Sequence, residues 1–502
     1  MNILIVGSGG REHAFAKLLN YEKYNNDIFV YGENLNYGLK RISRNYHIGS
    51  LSNFNKIDDV IKNNNIELVF IGPEKPIGDG LVNYLVNIHP NLKCFAPTIN
   101  NARIESSKIF ARNLMRDYDL NMYAPNYRVI SSSQFFNDSI DDINSYLIGC
   151  INHFDGRCVI KPDGLTGGKG VKLVPEDFKD EKEILDYIYQ ILDLKIEGNL
   201  CKDFNRSCSL LIEEKLEGEE FSIFTVTDGI NCIHSPPFQD FKKLHGISGP
   251  MTGGMGCQSF GTDVPPFLDS IDDITTAQNI NKKVIDSLLN YNYNQGNIEP
   301  YKGVLYGSFM KVKNKFCIRN PNNIYVIEFN CRFGDPETIN LTNVIDPEKT
   351  NINNILISSS TSKDSVVHNI PGELLTQYNL DKYLYSNKKL FKLNNYNWHF
   401  KNEYSLSKYL VDKDYPYKNG ESRNVELCIS KEIYWLQNNK VICANIDSDL
   451  IRDKITCGKS RSFSIVVTQS EDKKNMKALE KQLNVFLDRI SQNRFYYIKN
   501  MV

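Results

Sequence analysis

Apolar and polar positions near the amino terminus follow two alternating periods. Asn2–Gly7 is a short apolar strand, followed by a glycine turn and an amphipathic stretch from Arg11 to Leu19. Asp27–Tyr31 reads as a second strand, Ile66–Ile71 as a third and Leu92–Phe95 as the last. Helical patterns lie between them around Ile57–Lys62 and Gly80–Val86. Strands alternating with helices at this spacing predict a parallel sheet covered on both faces. This α/β domain is placed at residues 1–103.

Ile104–Tyr118 is predicted as one helix, because Ile109, Phe110, Leu114 and Met115 recur at roughly helical spacing. It forms a connection over 104–124 that ends at Pro125. A small α/β unit is expected over 125–213, centred on a strand at Arg157–Lys161 and a glycine-rich turn. Its polar stretches, Ser131–Asn144 and Asp177–Asp203, read as surface insertions. A larger domain over 214–345 holds strand-like runs at Phe221–Val226, Gly303–Met310 and Ile324–Phe329. The remainder, 346–502, opens with a polar, Asn- and Ser-rich passage. It continues with strand-like runs at Val425–Ser430, Lys440–Ala444 and Phe463–Thr468 and a terminal helix at Lys477–Ile490.

Composition narrows the class of protein. The 502 residues carry 59 Lys and Arg against 60 Asp and Glu, a formal charge of −1. Such a balance gives no electrostatic case for nucleic acid or an anionic membrane as partner. No apolar run approaches the roughly 20 residues of a membrane-spanning helix. The apolar run Ile3–Val6 before Gly7 is too short for a signal-peptide core. The 12 cysteines include no CxxC pair and the 8 histidines no HExxH, so neither a disulfide framework nor a zinc site is expected. A cytoplasmic protein with buried thiols is the expectation.

The chemistry is concentrated in glycine turns. Gly7-Ser8-Gly9-Gly10-Arg11-Glu12 begins like a dinucleotide fingerprint, but Glu12 stands where the third glycine would be. It is either a tight strand-to-helix turn or a site where helix amides and Arg11 hold a phosphate, of a nucleotide or of a sugar. Asp163-Gly164-Leu165-Thr166-Gly167-Gly168-Lys169-Gly170-Val171 lacks the first Gly and final Ser or Thr of a P-loop. Its glycines and lysine directly follow a strand ending in Lys161, which suits the oxygens of a triphosphate better than a structural turn. Acidic residues follow at Leu211-Ile212-Glu213-Glu214-Lys215-Leu216-Glu217-Gly218-Glu219-Glu220, alone no more than a solvated strand edge. Gly249-Pro250-Met251-Thr252-Gly253-Gly254-Met255-Gly256 can expose backbone amides to an anion. In Val326–Thr338, Glu328 and Asn330 fall on one face of a strand, followed by Arg332, a pattern suited to a magnesium-bound phosphate.

In this order, the sequence resembles the ATP-grasp superfamily and, within it, the glycinamide ribonucleotide synthetases (phosphoribosylamine–glycine ligases) of purine biosynthesis. The resemblance spans essentially the whole chain. It is sharpest at Gly7–Ala14, Gly72–Glu74, Glu105–Arg112, Lys161–Val171, Ile212–Ser222, Ser248–Gly256 and Ile327–Thr338. It implies a multidomain ATP-grasp α/β fold: an N-terminal Rossmann-like domain, a lid over 125–213, a large domain over 214–345 and a small C-terminal α+β domain. It also implies a ligase that phosphorylates the glycine carboxylate with ATP and lets the amine of 5-phosphoribosylamine displace phosphate, with Mg²⁺ or Mn²⁺ as the metal.

By the same resemblance, Lys108 and Lys161 contact ATP phosphates and Gly164, Gly167, Gly168, Lys169 and Gly170 close over them. Glu213, Glu214 and Leu216 form the adenine hinge, and Glu220 binds the ribose hydroxyls. Glu328 and Asn330 hold the metal, while Arg332 stabilises charge on the transferred phosphoryl group. Asp335 and Glu337 face the substrates; Lys161, Arg332 and Asp335 carry the catalytic roles. Gly9, Gly10, Arg11 and Glu74 line the phosphoribosylamine pocket with Gly249, Pro250, Thr252 and Gly253. No nucleic acid or membrane partner is implied, and a monomer or weak homodimer, monofunctional for want of fused downstream domains, is expected.

The chain also departs from the family pattern. The loop Gln239–Met251 is one residue shorter and lacks both aspartates of the usual DGD piece; Met251 stands in place of Asn, and Lys413-Asp414 in place of Gly-Gly. A thioether can hardly hydrogen-bond where an amide did. An ATP-grasp ligase with another carboxylate or amine substrate, and a catalytically silent binding relative, therefore stand beside the glycine ligase as alternatives. Retention of Lys161, Glu328, Asn330 and Arg332 together speaks against the silent relative.

Overall fold

The computed structural model describes residues 1–135, 138–165, 170–193, 208–244, 251–313, 320–371, 375–387, 391–412, 415, 423–425, 441–444, 455–457, 461–469, 475–491, 495–499 and 501. The chain divides into two units: residues 1–102, 220–307 and 330–502 in the first, 103–219 and 308–329 in the second.

The first unit opens with five parallel strands, β1 (Asn2–Val6), β2 (Asp27–Gly32), β3 (Asn45–Ile48), β4 (Leu68–Ile71) and β5 (Lys93–Phe95), in the order β3-β2-β1-β4-β5. The expected parallel sheet is present. β3 is the strand that sequence periodicity does not reveal, because its Asn45 and Ile48 are exposed and its apolar signal is weak. β1 and β4 are neighbours whose chains continue on opposite sides, so the crevice beyond their carboxyl ends is a topological switch point, where open α/β sheets bind ligands. Two segments start there: Gly7–Gly10 after β1 and Gly72–Glu74 after β4.

The second unit carries β6 (Tyr127–Ser131), β7 (Cys158–Pro162), β8 (Lys172–Val174) and β9 (Ser209–Glu214) as an antiparallel sheet ordered β6-β9-β7-β8. Two helices cover it, Ile140–Asn152 and Glu181–Leu192, capped by Ser139 and Asp180. The polar stretches expected as insertions are thus partly framework. Ile143, Leu147 and Ile151 on one helix and Ile184, Ile188 and Leu192 on the other are buried with Ile160, Leu210 and Ile212 of the sheet. Their charged residues occupy the solvent face of amphipathic helices. The helix expected over 104–118 is instead two, Ile99–Ser106 and Lys108–Asp117. Ser107 interrupts it with extended backbone and caps the second helix by accepting from the Phe110 amide at 3.1 Å.

Back in the first unit come β10 (Gly218–Thr227), β11 (Cys232–His234), β12 (Phe238–Lys243), β13 (Met251–Ser259) and the 24-residue helix Ile271–Asn294, which sequence periodicity did not single out. β14 (Gly303–Val312) and β15 (Ile324–Asn330) follow, with the second unit holding residues 308–312 and 324–329 of these strands. The carboxyl-terminal part adds β16 (Tyr404–Asp412), β17 (Arg423–Val425), β18 (Val441–Cys443), β19 (Ile455–Cys457), β20 (Arg461–Gln469) and β21 (Phe495–Tyr496), with the helix Met476–Ser491 before the last strand. Within the first unit β14 begins a sheet that continues β10-β12-β13-β16-β20-β18. β13 pairs antiparallel with β16, Gly256 opposite Lys408, so the carboxyl-terminal region extends the sheet of the central region directly.

One aromatic cluster joins the parallel sheet to this larger one. Phe15 and Phe70 stack at 4.4 Å between centroids. Phe333 lies 5.1 Å from Phe15, 5.9 Å from Phe95, 5.0 Å from Phe224 and 6.4 Å from Trp398. Truncating such a ring leaves a cavity that rigid neighbours on several sides cannot fill. Phe333→Ala is expected to cost about 3–5 kcal/mol. Thermal denaturation should show a midpoint several degrees lower; an unchanged midpoint would contradict the packing described.

Candidate functional site

In the second unit the site begins with a buried carboxylate between two cations. Glu213 on β9 and Lys161 on β7 lie on antiparallel neighbours, and Lys161 Nζ stands 2.5 Å from Glu213 Oε2. Arg112 donates to Glu213 from Nε at 2.6 Å, and to the carbonyl of Ile327 on β15 at 2.8 Å. All three are buried, with relative exposures of 3% for Arg112, 7% for Lys161 and 2% for Glu213. Burial alone would raise the Glu213 carboxyl, but Arg112 and then Lys161 outweigh it and hold it at about 2. The group expected at the adenine hinge thus keeps its side chain for holding Lys161.

Lys108 stands one helical turn before Arg112, on the same face. Its ammonium donates to the Gly164 carbonyl at 2.8 Å. Burial depresses its proton affinity; Glu328 opposes that and Lys161 adds to it. Asp163 accepts from the Ile109 amide and from Ser107 Oγ, each at 3.1 Å, so the start of the glycine turn is tied to the start of the helix Lys108–Asp117. Gly164 takes a left-handed φ of +103° that a side chain would disfavour. Gly167, Gly168 and Lys169 lie outside the described residues, and Gly170 accepts from the Tyr187 hydroxyl at 2.8 Å. Glu214 accepts from the Asn126 side chain at 3.0 Å, and half-buried Leu216 sits in the turn between β9 and β10. The structure therefore brings Lys108, Lys161, Glu213 and Glu328 into one charged group.

In the first unit the switch point gathers a second group. Glu12, in place of a third glycine, turns its carboxylate back on its own helix start. Its Oε2 accepts from the Gly9 amide at 2.6 Å and its Oε1 from Arg11 Nε at 2.7 Å. A Cβ on Gly72 would stand 1.8 Å from Glu12 Oε1, so the glycine after β4 makes the room this carboxylate occupies. Arg11 NH1 and Arg332 NH1 both donate to the Phe333 carbonyl, at 2.9 and 3.3 Å. Arg332 also donates to Asn330 Oδ1 at 3.2 Å and pairs with Glu74 Oε2 at 3.3 Å. Burial would raise the Glu74 carboxyl, but Arg332 and Arg11 hold it below the usual carboxylate range.

The acidic residues after Arg332 separate in role. Asp335 Oδ1 accepts from the Tyr409 hydroxyl at 2.6 Å, and buried Glu337 accepts from the Tyr306 hydroxyl at 2.7 Å. Tyr306 is itself pushed well above the normal phenol range, by burial first and Glu337 second. Thr252, near the start of β13, donates to the Lys242 carbonyl at 2.7 Å and accepts from the Gly254 amide at 3.2 Å, and Gly253 between them is exposed. Gly249 and Pro250 lie outside the described residues, as do Lys413 and Asp414. Glu220 pairs with Lys242 at 3.2 Å.

Sequence reasoning assigned no role to Arg112, Tyr409 or Tyr306. Arg112 was discoverable, being four residues after Lys108 on one helix face. The two tyrosines lie in apolar strand runs and read as core. Among the described residues no group of His, Cys, Asp or Glu is large enough to enclose a metal alone. The oxygen donors of Glu328 and Asn330, alternating on β15, suit a hard cation whose remaining ligands come from phosphate and water.

The pH dependence of the Glu213 clamp has a defined sign. A carboxyl depressed from 4.5 to about 2 contributes stability that is complete above its unfolded value and is lost as pH falls towards 2. Glu213→Gln leaves two buried cations without a counter-charge and is expected to cost about 3–5 kcal/mol at neutral pH. Urea titrations should show the gap between parent and variant closing as pH is lowered through this window; a pH-independent gap would contradict the clamp.

Comparison with known proteins gives matches over the same residues. Residues 1–105 match the model of the phosphoribosylglycinamide synthetase N domain, and residues 106–338 that of the phosphoribosylglycinamide synthetase ATP-grasp (A) domain. A phosphoribosylamine–glycine ligase of Methanosphaera stadtmanae is 40% identical over 347 residues, covering 69% of this chain and 70% of the relative. One from Pyrococcus abyssi is 30% identical over 451 residues, covering 90% of this chain and 85% of the relative. Among solved structures, a phosphoribosylamine–glycine ligase of Thermotoga maritima superposes with a TM-score of 0.66 at 22% identity, over 99% of each chain. A biotin carboxylase of Campylobacter jejuni gives 0.60 at 13% identity over 100% of this chain and 93% of that one, a likeness of fold alone.

Proposed function

The chain belongs to the phosphoribosylglycinamide synthetase family, and we propose how its residues divide the work of that family's reaction. It is an ATP-grasp carbon–nitrogen ligase of purine biosynthesis that uses ATP to join glycine to 5-phosphoribosylamine. The reaction runs in two displacements. A glycine carboxylate oxygen attacks the γ-phosphorus of ATP, the bond to the bridging oxygen breaks, and ADP leaves. The ribosylamine nitrogen then attacks the acyl carbon, loses a proton, and phosphate leaves with the electron pair of the broken C–O bond. A carboxylate is a poor electrophile until it carries such a leaving group, so catalysis is chiefly positioning and charge neutralisation.

The observation that carries this division is the buried Arg112–Glu213–Lys161 clamp. It holds a cation at the end of the strand that feeds the glycine turn, with Lys108 on the same helix face as Arg112. Lys161 and Lys108 take ATP phosphate oxygens, and the turn Gly164–Gly170 closes over them. Backbone groups of Glu213–Leu216 meet adenine, and Glu220 meets the ribose. Glu328 and Asn330 would hold Mg²⁺ or Mn²⁺, which would supply neutralisation of phosphate charge. Arg332, oriented by Glu74 and the Phe333 carbonyl, faces the transferred phosphoryl group. Gly9, Gly10, Arg11 and Glu74 at the switch point, with Thr252 and Gly253, receive the ribosylamine phosphate and sugar. Asp335 and Glu337 face the reacting amine. No helix among the described residues is long and apolar enough to cross a membrane. The working form is a cytoplasmic monomer or weak homodimer.

The test is ADP release with Mg²⁺-ATP, glycine, and phosphoribosylamine generated in place from ribose 5-phosphate and ammonia, omitting each in turn. ADP should appear only when both co-substrates are present. Turnover with another amino acid in preference to glycine would mean that the shortened 239–251 loop has changed the substrate. Lys161→Met should abolish turnover. Glu328→Gln should keep the fold and lower metal-dependent turnover by at least ~10²-fold; an unchanged rate would remove Glu328 from the metal shell.

A further inference from the structure

Among the described residues of the carboxyl-terminal region, Tyr409 reaches the switch point of the parallel sheet. Tyr409 lies on β16, is 0% exposed, and places its hydroxyl 2.6 Å from Asp335 Oδ1. The first residue of the helix Gly10–Leu19 is shaped around that hydroxyl: a Cβ on Gly10 would stand 2.0 Å from Tyr409 Oη. A Cβ on the preceding Gly9 would stand 4.0 Å from Asp335 Oδ2. One carboxylate oxygen is therefore taken by the phenol, and the other lies by the glycines that start the helix at the switch point. The strand carrying Tyr409 is fixed in register, because β16 pairs with β13, which holds Thr252 and Gly253 near its start, and with β20 on its other side.

We propose that Tyr409 is a positioning residue: by binding Asp335 Oδ1 it aims Oδ2 at the amino group of a bound substrate beside Gly9 and Gly10. This deepens the ligase reading and rests on it. The chemistry follows from the donor inventory. A carboxylate accepts hydrogen bonds and repels phosphate, so among the parts of these substrates Oδ2 suits an N–H. Arg11, next along the helix, supplies the cation for the anionic end. Both co-substrates bring an amino group, glycine as an ammonium and the ribosylamine as the attacking amine, and the two are separated by experiment. Without the phenol the Asp335 side chain loses one contact that holds its rotamer, and a misplaced acceptor slows the reaction.

Tyr409→Phe removes one oxygen and keeps the ring. The expected result is a kcat/KM lowered about 10- to 100-fold for the substrate whose amine Asp335 meets, the loss usual for one hydrogen bond to a charged group. KM for ATP should stay at the parent value, and the thermal midpoint should fall by no more than the loss of one hydrogen bond gives. A change confined to phosphoribosylamine assigns the attacking amine, and one confined to glycine assigns its ammonium. The double variant Tyr409→Phe/Asp335→Asn should bind glycinamide ribonucleotide, measured by calorimetry, as weakly as Asp335→Asn alone. Three results overturn the proposal: parent-like kinetics in Tyr409→Phe, a uniform loss for all substrates with a lowered midpoint, or multiplicative effects in the double variant. A parent enzyme whose ADP release ignores both co-substrates overturns the ligase reading first and the role of Tyr409 with it.

Discussion

Residue Phe333 does two jobs that tie the site to the core. Its ring is enclosed by Phe15, Phe95, Phe224 and Trp398, drawn from the parallel sheet, from the central region and from the polypeptide near residue 400. Its carbonyl accepts from Arg11 and from Arg332, the cations that face Glu74. Close-packed interiors have no room for a ring to drift, so the carbonyl inherits its position from the packing. The guanidiniums inherit theirs from the carbonyl. Neighbouring residues on either side, Arg332 and Asp335, are thereby fixed without needing rigidity of their own.

Burying charge is costly unless the ion has a partner, and at three carboxylates of the candidate site that partner is a local counter-ion. Glu213 sits between Arg112 and Lys161, Glu12 against Arg11, and Glu74 against Arg332. In the first of these two cations flank one carboxylate, while Glu328, Asp163 and Glu105 act as counter-charges to Lys108. In the Arg11–Arg332 group the carboxylates match the cations, and the helix start at Gly9 has already given an amide to Glu12.

How much of this was legible in the sequence depends on whether a residue's role is local. Strand and helix alternation, the glycine turns and the Glu-x-Asn pattern are short-range, and the parallel sheet and the placement of Glu328 and Asn330 on one strand, β15, followed from them. The break at Ser107 was not legible from periodicity, because apolar spacing continues across it and only the cap on the Phe110 amide reveals the interruption. Helices Ile140–Asn152 and Glu181–Leu192 were hidden by polar solvent faces. Glu12 read as a missing glycine because the fingerprint prices only the space at its own position; the compensating space is at Gly72, sixty residues away in the chain. Tyr409 offers no sequence signal, since a tyrosine in an apolar strand is ordinarily core.

That last case also explains how the carboxyl-terminal region can join the site while its sequence is hard to place. The family models end at residue 338, and a relative 40% identical aligns over only 69% of the chain, yet the fold likeness to the Thermotoga maritima structure spans 99%. What docks this region is mostly backbone. β16 bonds to β13 through main-chain groups from Gly256 opposite Lys408 to Ser259 opposite Ser405. The Cys443 amide donates to His13, whose imidazole, driven down to about 3 by burial first and Lys17 second, stays neutral and accepts; Asn36 donates to the Cys443 carbonyl. Ladder bonds ask for extended backbone and the right alternation of faces, not for particular side chains. Such a strand can change most of its residues and keep its place. The exceptions are positions that reach another element, and on β16 they include Ser407 at Asn340, Lys408 at Glu480 and Tyr409 at Asp335.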